Sequence, residues 1–431
     1  MQRTLRFMRA SDSSLQHIPN GSRNKLLSDD RAAHNWYRFV LSFPPQLVRE
    51  YLAKFELKEG HVVLDPFCGT GTTLVECKKQ GIKSLGFEAH PMAAFATRVK
   101  TDWDVDPDGL AAHAREVARV ASRDLAKEST PLRKLPSAAE KLLLGNSISP
   151  LPLHKTLILL DYLQEGSGGP FYDHERLALA NALVSEIGNL HFGPEVGVGQ
   201  IKDDAPVVEA WLKNVVNIAA DLEVLRRHPC ADAQVWCHDS RRMLDVCPDK
   251  SVDAVITSPP YPNEKDYTRT TRLETVLLGF VNDRQDLRRL KEGLLRSNTR
   301  NVYKEDDDDR WVESFSEIKR IANDIEARRI AMGKTSGFER QYARVTKLYF
   351  GGMMRHFADL RRVLRPGARL AYVVGDQASY LRVMIRTGQL LAQIAESLGY
   401  EVEKIDLFRT RLSTTTREQL REEVLVLRWP R

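Results

Sequence analysis

Apolar and polar positions follow two rhythms along the chain. His61-Val-Val-Leu64 is a short apolar run ending at Asp65. Residues 72–80 then carry helical spacing, Gly81 ends the helix, and residues 83–87 form a second apolar run stopping at Glu88. Strand, glycine turn, helix, strand is the order of a βαβ unit. A second such region begins near Gln234, with apolar runs at 234–238 and 252–257. A helix over 348–364 is halted by Arg365-Pro366-Gly367-Ala368. A strand at 369–374, a helix at 381–398 closed by Gly399, and strands at 402–407 and 423–429 complete the pattern. Repeated alternation predicts an α/β fold with a parallel, doubly wound sheet. The closing strand pair, with no helix between, predicts one antiparallel edge strand.

Two stretches interrupt this alternation. Residues 101–233 read as helical: Asp204-Ala-Pro206 resembles a helix start, followed by Val207, Trp211, Val215, Ile218, Leu222 and Leu225 at helical spacing. Gly166-Ser-Gly-Gly-Pro170 reads as a flexible break. Residues 282–346 form a second, charged helical insertion, and the acidic run Asp306 to Asp309 within it reads as a solvated loop. The division expected is 1–100 (N-terminal arm and cofactor half), 101–233, 234–281 (second-motif half), 282–346, and 347–431 (the rest of the sheet). The two insertions are the candidates for recognising a macromolecule, 101–233 first.

Chemistry concentrates in two motifs. The first is Asp65-Pro66-Phe67-Cys68-Gly69-Thr70-Gly71-Thr72. Gly69 and Gly71 allow a tight turn and a close backbone approach to a ligand. No lysine follows, which excludes a phosphate loop, and Leu74 stands where a dinucleotide site needs a third glycine. The remaining choice is a nucleoside cofactor without a pyrophosphate, S-adenosylmethionine foremost, with Glu88 accepting from its ribose hydroxyls. The second motif is Thr257-Ser258-Pro259-Pro260-Tyr261, following the apolar run that starts near Asp253. Paired prolines end a strand and fix backbone direction, so the carbonyls of Ser258 and Pro259 point in set directions. Such acceptors suit an amine whose lone pair is conjugated into a ring, since gripping its hydrogens favours the pyramidal, nucleophilic form. Tyr261 offers a flat face on which an extruded base can stack. Arg269 and Arg272, soon after Tyr261, are candidate phosphate contacts.

Together the two motifs resemble the amino-group DNA methyltransferases, and Ser258-Pro259-Pro260-Tyr261 is most similar to the branch that methylates cytosine at N4. The resemblance covers roughly residues 35–100 and 235–431. It implies a Rossmann-like, seven-stranded, mostly parallel sheet, S-adenosylmethionine at the first motif, a flipped DNA base at the second, and a restriction endonuclease as a candidate partner. It also implies cofactor contacts from Phe43 and Pro44, which resemble the family's cofactor-side motif, and from Asp239 and Ser240 after the third strand. The cofactor motif precedes the catalytic one, so the subgroup with the reverse order is excluded.

Composition adds little against this. The chain has 431 residues, 42% hydrophobic and 28% charged, with net charge +6, a weak signal for a polyanionic partner. Five scattered cysteines fit a reducing, cytoplasmic compartment, and no apolar run is long enough for a membrane span. Cys230, Cys237, His238 and Cys247 lack zinc-site spacing. Pro229-Cys230 follows no strand that would place a nucleophile for ring-carbon methylation. Adenine N6, an RNA amino group, and a non-catalytic nucleic-acid-binding subunit remain the rival readings. The arginines at 284, 288, 289, 296 and 300 alternate with acids and fit a salt-bridged face as well as a phosphate-binding one.

Overall fold

The structure, a computed structural model, describes residues 26–37, 43–127, 131–193, 195–229, 231–263, 265–412 and 418–430. Cys230 lies outside them. The strands are β1 (Val62–Asp65), β2 (Lys83–Phe87), β3 (Leu190–Phe192), β4 (Val196–Val198), β5 (Ala233–Trp236), β6 (Val252–Thr257), β7 (Leu364–Gly375), β8 (Glu401–Leu412) and β9 (Gln419–Arg428). Seven form one sheet in the order β5-β2-β1-β6-β7-β9-β8, and β3 and β4 make a separate hairpin. From β5 to β7 every pairing is parallel, while β9 runs antiparallel to both β7 and β8. The reversed strand is therefore β9, one place in from the edge, and not an edge strand as the sequence pattern suggests. This is a Rossmann-like fold, a mostly parallel seven-stranded sheet with one reversed strand.

Both faces of the sheet are covered. The helix Tyr342–Val363 packs Val345, Tyr349, Phe350, Met353, Phe357 and Leu360 into a core shared with Leu64, Val255 and Leu370. On the opposite face, Leu47, Val48 and Tyr51 of the helix Pro45–Lys54 meet Val63, Ala254, Ile256 and Ala371. The period-two alternation of β6 splits its side chains between these cores.

The long insertion is packed as a core of its own. Helices Pro107–Leu125, Pro150–Glu165, Tyr172–Ala182 and Val207–Leu225 bury Leu110, Leu159, Leu177 and Trp211. Phe95 and Val99 before the insertion, and Leu273 and Leu277 far after it, belong to the same core. Asp204 does not cap the last helix: Pro206 stands at the N-cap, and Asp204 pairs with Lys155 at 2.6 Å.

Two other expectations change. The helix expected over 381–398 starts only at Thr387, because Leu381 and Arg382 take left-handed φ values of 53° and 63° and Gln377 bridges to Ile385. The acidic run is not a solvated loop. Asp308 is buried and accepts from Arg241 at 2.6 Å and Arg355 at 2.5 Å, and Asp306 accepts from the buried Arg296 at 2.8 Å. No helix among the described residues is long and apolar enough to cross a membrane.

Candidate functional site

In an open α/β sheet, ligands bind beyond the carboxyl ends of the strands, where successive crossovers diverge. Here that point lies between β1 and β6, whose ends carry the two motifs. Asp65 and Thr257 close these strands side by side, and the Thr257 hydroxyl donates to Asp65 Oδ1 at 2.5 Å. One cavity of about 580 Å³ opens above them, within the roughly 300–1,000 Å³ common for ligand sites.

Pro66, Phe67, Cys68, Gly69 and Thr72 of the first motif line this cavity, as does Phe43. Gly71 precedes the helix Thr72–Lys79 with φ +87°, and a Cβ there would lie 2.8 Å from Thr97 Cγ2. The turn therefore needs glycine on both conformational and steric grounds. Glu88, at the tip of β2, also lines the cavity, with its oxygens accepting from Gly69 N at 2.9 Å and His90 N at 2.8 Å. Burial raises its carboxyl to about 7 against the pull of those two N–H donors.

Ser258, Pro259, Pro260 and Tyr261 line the same cavity, so the two motifs share one site. The Ser258 hydroxyl donates to Val373 O at 3.1 Å, which spends its hydrogen and leaves its oxygen to act as an acceptor. A Cβ on Gly375 would stand 2.9 Å from Tyr261 Cε2, so the aromatic ring packs directly on the end of β7. Burial pushes the Tyr261 hydroxyl well above its usual value, and it stays neutral.

Several sequence-predicted residues lie elsewhere. Pro44 is the N-cap of Pro45–Lys54 and Gly71 shapes its turn; neither lines the cavity. Asp65 is fully buried beneath it, where burial raises its carboxyl to about 6, with the Thr257 hydroxyl opposing. Asp239 forks with Arg241 at 2.6 Å, and Arg241 bridges on to Asp308, so the carboxylate holds the second insertion while its neighbour Ser240 faces the cavity. Arg272 spends its guanidinium on Thr268 O, Thr268 Oγ1 and Leu142 O. Arg269 does not line the cavity either, and its Nε is buried. Of the arginines at 284–300, Arg288 and Arg289 pair with Glu292 and Asp286 on the surface, and Arg300 faces Glu195 at 3.7 Å.

Other lining residues carry no sequence signal. Tyr37 lines the cavity and donates to the buried Glu274 at 2.5 Å. Glu195, at the tip of the β3–β4 hairpin, brings the first insertion to the cavity. Gly293, Leu295, Ser297 and Asn301 bring the second. Only the buried leucines of that segment hint at a wall, and nothing in its pattern says of what.

A glycine turn, a carboxylate at the tip of the neighbouring strand and a Pro-Pro turn thus surround one largely apolar cavity. Residues 14–96 match the model of a family described as DNA methylase. The chain is 26% identical to the type II methyltransferase M.BsoBI of Geobacillus stearothermophilus, over 90% of this chain and 82% of that protein. It is also 26% identical to the type II methyltransferase M.AvaI of Nostoc sp., over 98% of this chain and 91% of that one. A shorter stretch of 67 residues is 40% identical to M.MjaII of Methanocaldococcus jannaschii, covering 16% of this chain and 12% of that protein. Among solved structures, TrmN from Thermus thermophilus aligns with 93% of this chain and 52% of its own, at 13% identity and TM-score 0.31. The family match, the whole-length relatives and the seven-stranded sheet support an amino-group DNA methyltransferase.

Proposed function

We propose that the chain methylates the N4 amino group of cytosine in double-stranded DNA, with the target base turned out of the helix into the cavity above Ser258 and Tyr261. The observation that carries this reading is Ser258 itself: it stands first in the Pro-Pro turn, in the same cavity as the glycine turn and Glu88, with its hydroxyl hydrogen committed to Val373 O. A hydroxyl held this way accepts and does not donate, which suits an amino group and disfavours a ring oxygen at the same place.

The residues present fit S-adenosylmethionine. A Cβ on Gly69 would meet nothing within 4 Å, so the turn leaves open space beside its backbone, and the Glu88 carboxylate faces the cavity to receive ribose hydroxyls. Phe43, Phe67 and Ser240 complete that half. When bound, the cofactor supplies an electrophilic methyl on a sulfonium. The protein's own part is to hold the amine against it. Ser258 and the Pro259 carbonyl accept the two amino hydrogens, drawing the nitrogen lone pair out of conjugation, while Tyr261 stacks on the base and fixes the line of approach. One of those hydrogens would leave as a proton past its acceptor to solvent once the nitrogen has gained the methyl. Low local polarity strengthens each of these contacts.

The β3–β4 hairpin and the 293–301 wall are the parts of the two insertions that meet the substrate, and the DNA sequence is read there or close by. A cognate restriction endonuclease would share that sequence. The deciding experiment is transfer of labelled methyl to unmethylated DNA and to RNA, followed by nucleoside mass spectrometry. N4-methylcytosine in DNA is the expected product. N6-methyladenine, or label in RNA alone, overturns the assignment of the base or of the nucleic acid.

A further inference from the structure

The second insertion contributes to the cavity a residue whose side-chain oxygen the fold leaves unused. Asn301 closes the short turn Thr299–Asn301, is 1% exposed, and lines the cavity. Its side-chain oxygen is buried with no hydrogen-bond partner. Folded proteins rarely keep such a group without a use, because an amide taken out of water loses its solvent hydrogen bonds and must replace them. Its backbone, by contrast, is well held. Asn301 N donates to Asn298 O, and Asn298 donates from Nδ2 to Lys265 O at 3.1 Å while accepting from Arg300 N at 3.0 Å.

Those bonds also locate the turn. Lys265 lies four residues beyond Tyr261 and lines the same cavity, and Arg300 faces Glu195 of the hairpin at 3.7 Å. Asn301 is thus fastened over the loop that leaves the Pro-Pro turn, on the side where an extruded base would sit. An amide carries a donor and an acceptor side by side and exchanges them by a half-turn. A base taken out of its pair presents the same arrangement along the edge that its partner has just released: a ring nitrogen that can accept from Nδ2, beside an amino hydrogen that Oδ1 would share with the Pro-Pro turn.

The geometry points to Asn301 as the residue that recognises the pairing edge of the extruded base. This rests on the base-methylation reading above. It makes the second insertion part of base selection, with an amide doing at the base what the lost partner strand did.

The test uses the full chain, unmethylated plasmid DNA and tritiated S-adenosylmethionine, with Asn301→Ala and the equally sized Asn301→Asp. Both variants are expected to lose about 10- to 100-fold in kcat/KM for DNA, the range of one base-edge contact, while cofactor affinity by calorimetry stays within about twofold. Wild-type kcat/KM for DNA in both variants overturns the inference. So does a loss of cofactor affinity parallel to the loss of rate, which would make Asn301 a support of the fold. A wild-type protein that binds the cofactor and labels no DNA overturns the base-methylation reading itself, and the role of Asn301 with it.

Discussion

Replacing Thr257 by valine removes one hydroxyl and nearly no volume, and it tests how the two motif strands are joined. That hydroxyl donates to the fully buried Asp65 at 2.5 Å. Asp65 has its carboxyl raised from 3.8 to about 6, first by burial, with Thr257 among the groups that hold it down. The neutral form is thus favoured in the folded chain. The contribution of Asp65 to stability is greatest below about pH 4 and declines as pH rises through 6. Without the hydroxyl the ionised carboxylate loses a charge-assisted bond worth about 2–3 kcal/mol, whereas the neutral acid loses only about 1 kcal/mol. The variant should therefore be less stable by about 1 kcal/mol at pH 5 and about 2–3 kcal/mol at pH 8. With roughly 2.1 cal/mol/K of unfolding entropy per residue, a chain of 431 residues shifts by about 1 °C per kcal/mol. Thermal melts should show a gap of about 1 °C at pH 5 widening to about 2–3 °C at pH 8. Methyl transfer should fall as well, since the bond ties together the strands that carry both loops. A gap that is absent, or equal at the two pH values, would refute the role given to Asp65.

Ser258→Ala and Tyr261→Ala should each lower methyl transfer by about 100-fold or more with cofactor affinity within twofold, measured by labelled transfer and calorimetry; matching losses of affinity would place these residues against the cofactor. Gly375→Ala puts a methyl 2.9 Å from Tyr261 Cε2 and should cut kcat by about 10-fold through displacement of that ring, without changing cofactor affinity. A wild-type rate would show that the ring's position does not matter. Burial raises the Glu88 carboxyl to about 7, so S-adenosylmethionine should bind more tightly as pH rises from 6 to 8 and the carboxylate forms. Glu88→Gln should bind about 10-fold more weakly at pH 8 and lose that pH dependence, which calorimetry at both values will report.

The parts of the molecule readable from sequence are those whose chemistry is local. Gly69 and Gly71 shape a turn through their own backbones, Pro259 and Pro260 end a strand wherever they stand, and β1, β2 and β6 follow from short apolar runs. Distance along the chain hides the rest. Asp65 sits in a motif that suggests ligand contact, yet its partner Thr257 lies 192 residues away and draws it under the cavity floor. Asp239 is claimed by Arg241 only two residues on, and the distant part is the other end of that bridge, Asp308 in the second insertion. The start of the helix Thr387–Ser397 was obscured because residues 381–386 have helical composition but left-handed turns at Leu381 and Arg382. Glu195 and Asn301 stand in stretches without any motif, and only the folded chain brings them to the cavity.

The core beneath the first insertion limits how this protein could be re-engineered. Phe95, Val99, Leu273 and Leu277 belong to the sheet-bearing half yet are buried by Leu159, Leu177 and Trp211 of the inserted helices. A chimera that swapped residues 101–233 for a foreign stretch would strip apolar surface from the helices flanking both motifs, and would be lost to misfolding before any new sequence preference could show. The β3–β4 hairpin contributes only its edge to that core, so retargeting by graft is practical at that ribbon and not at the bundle that carries it.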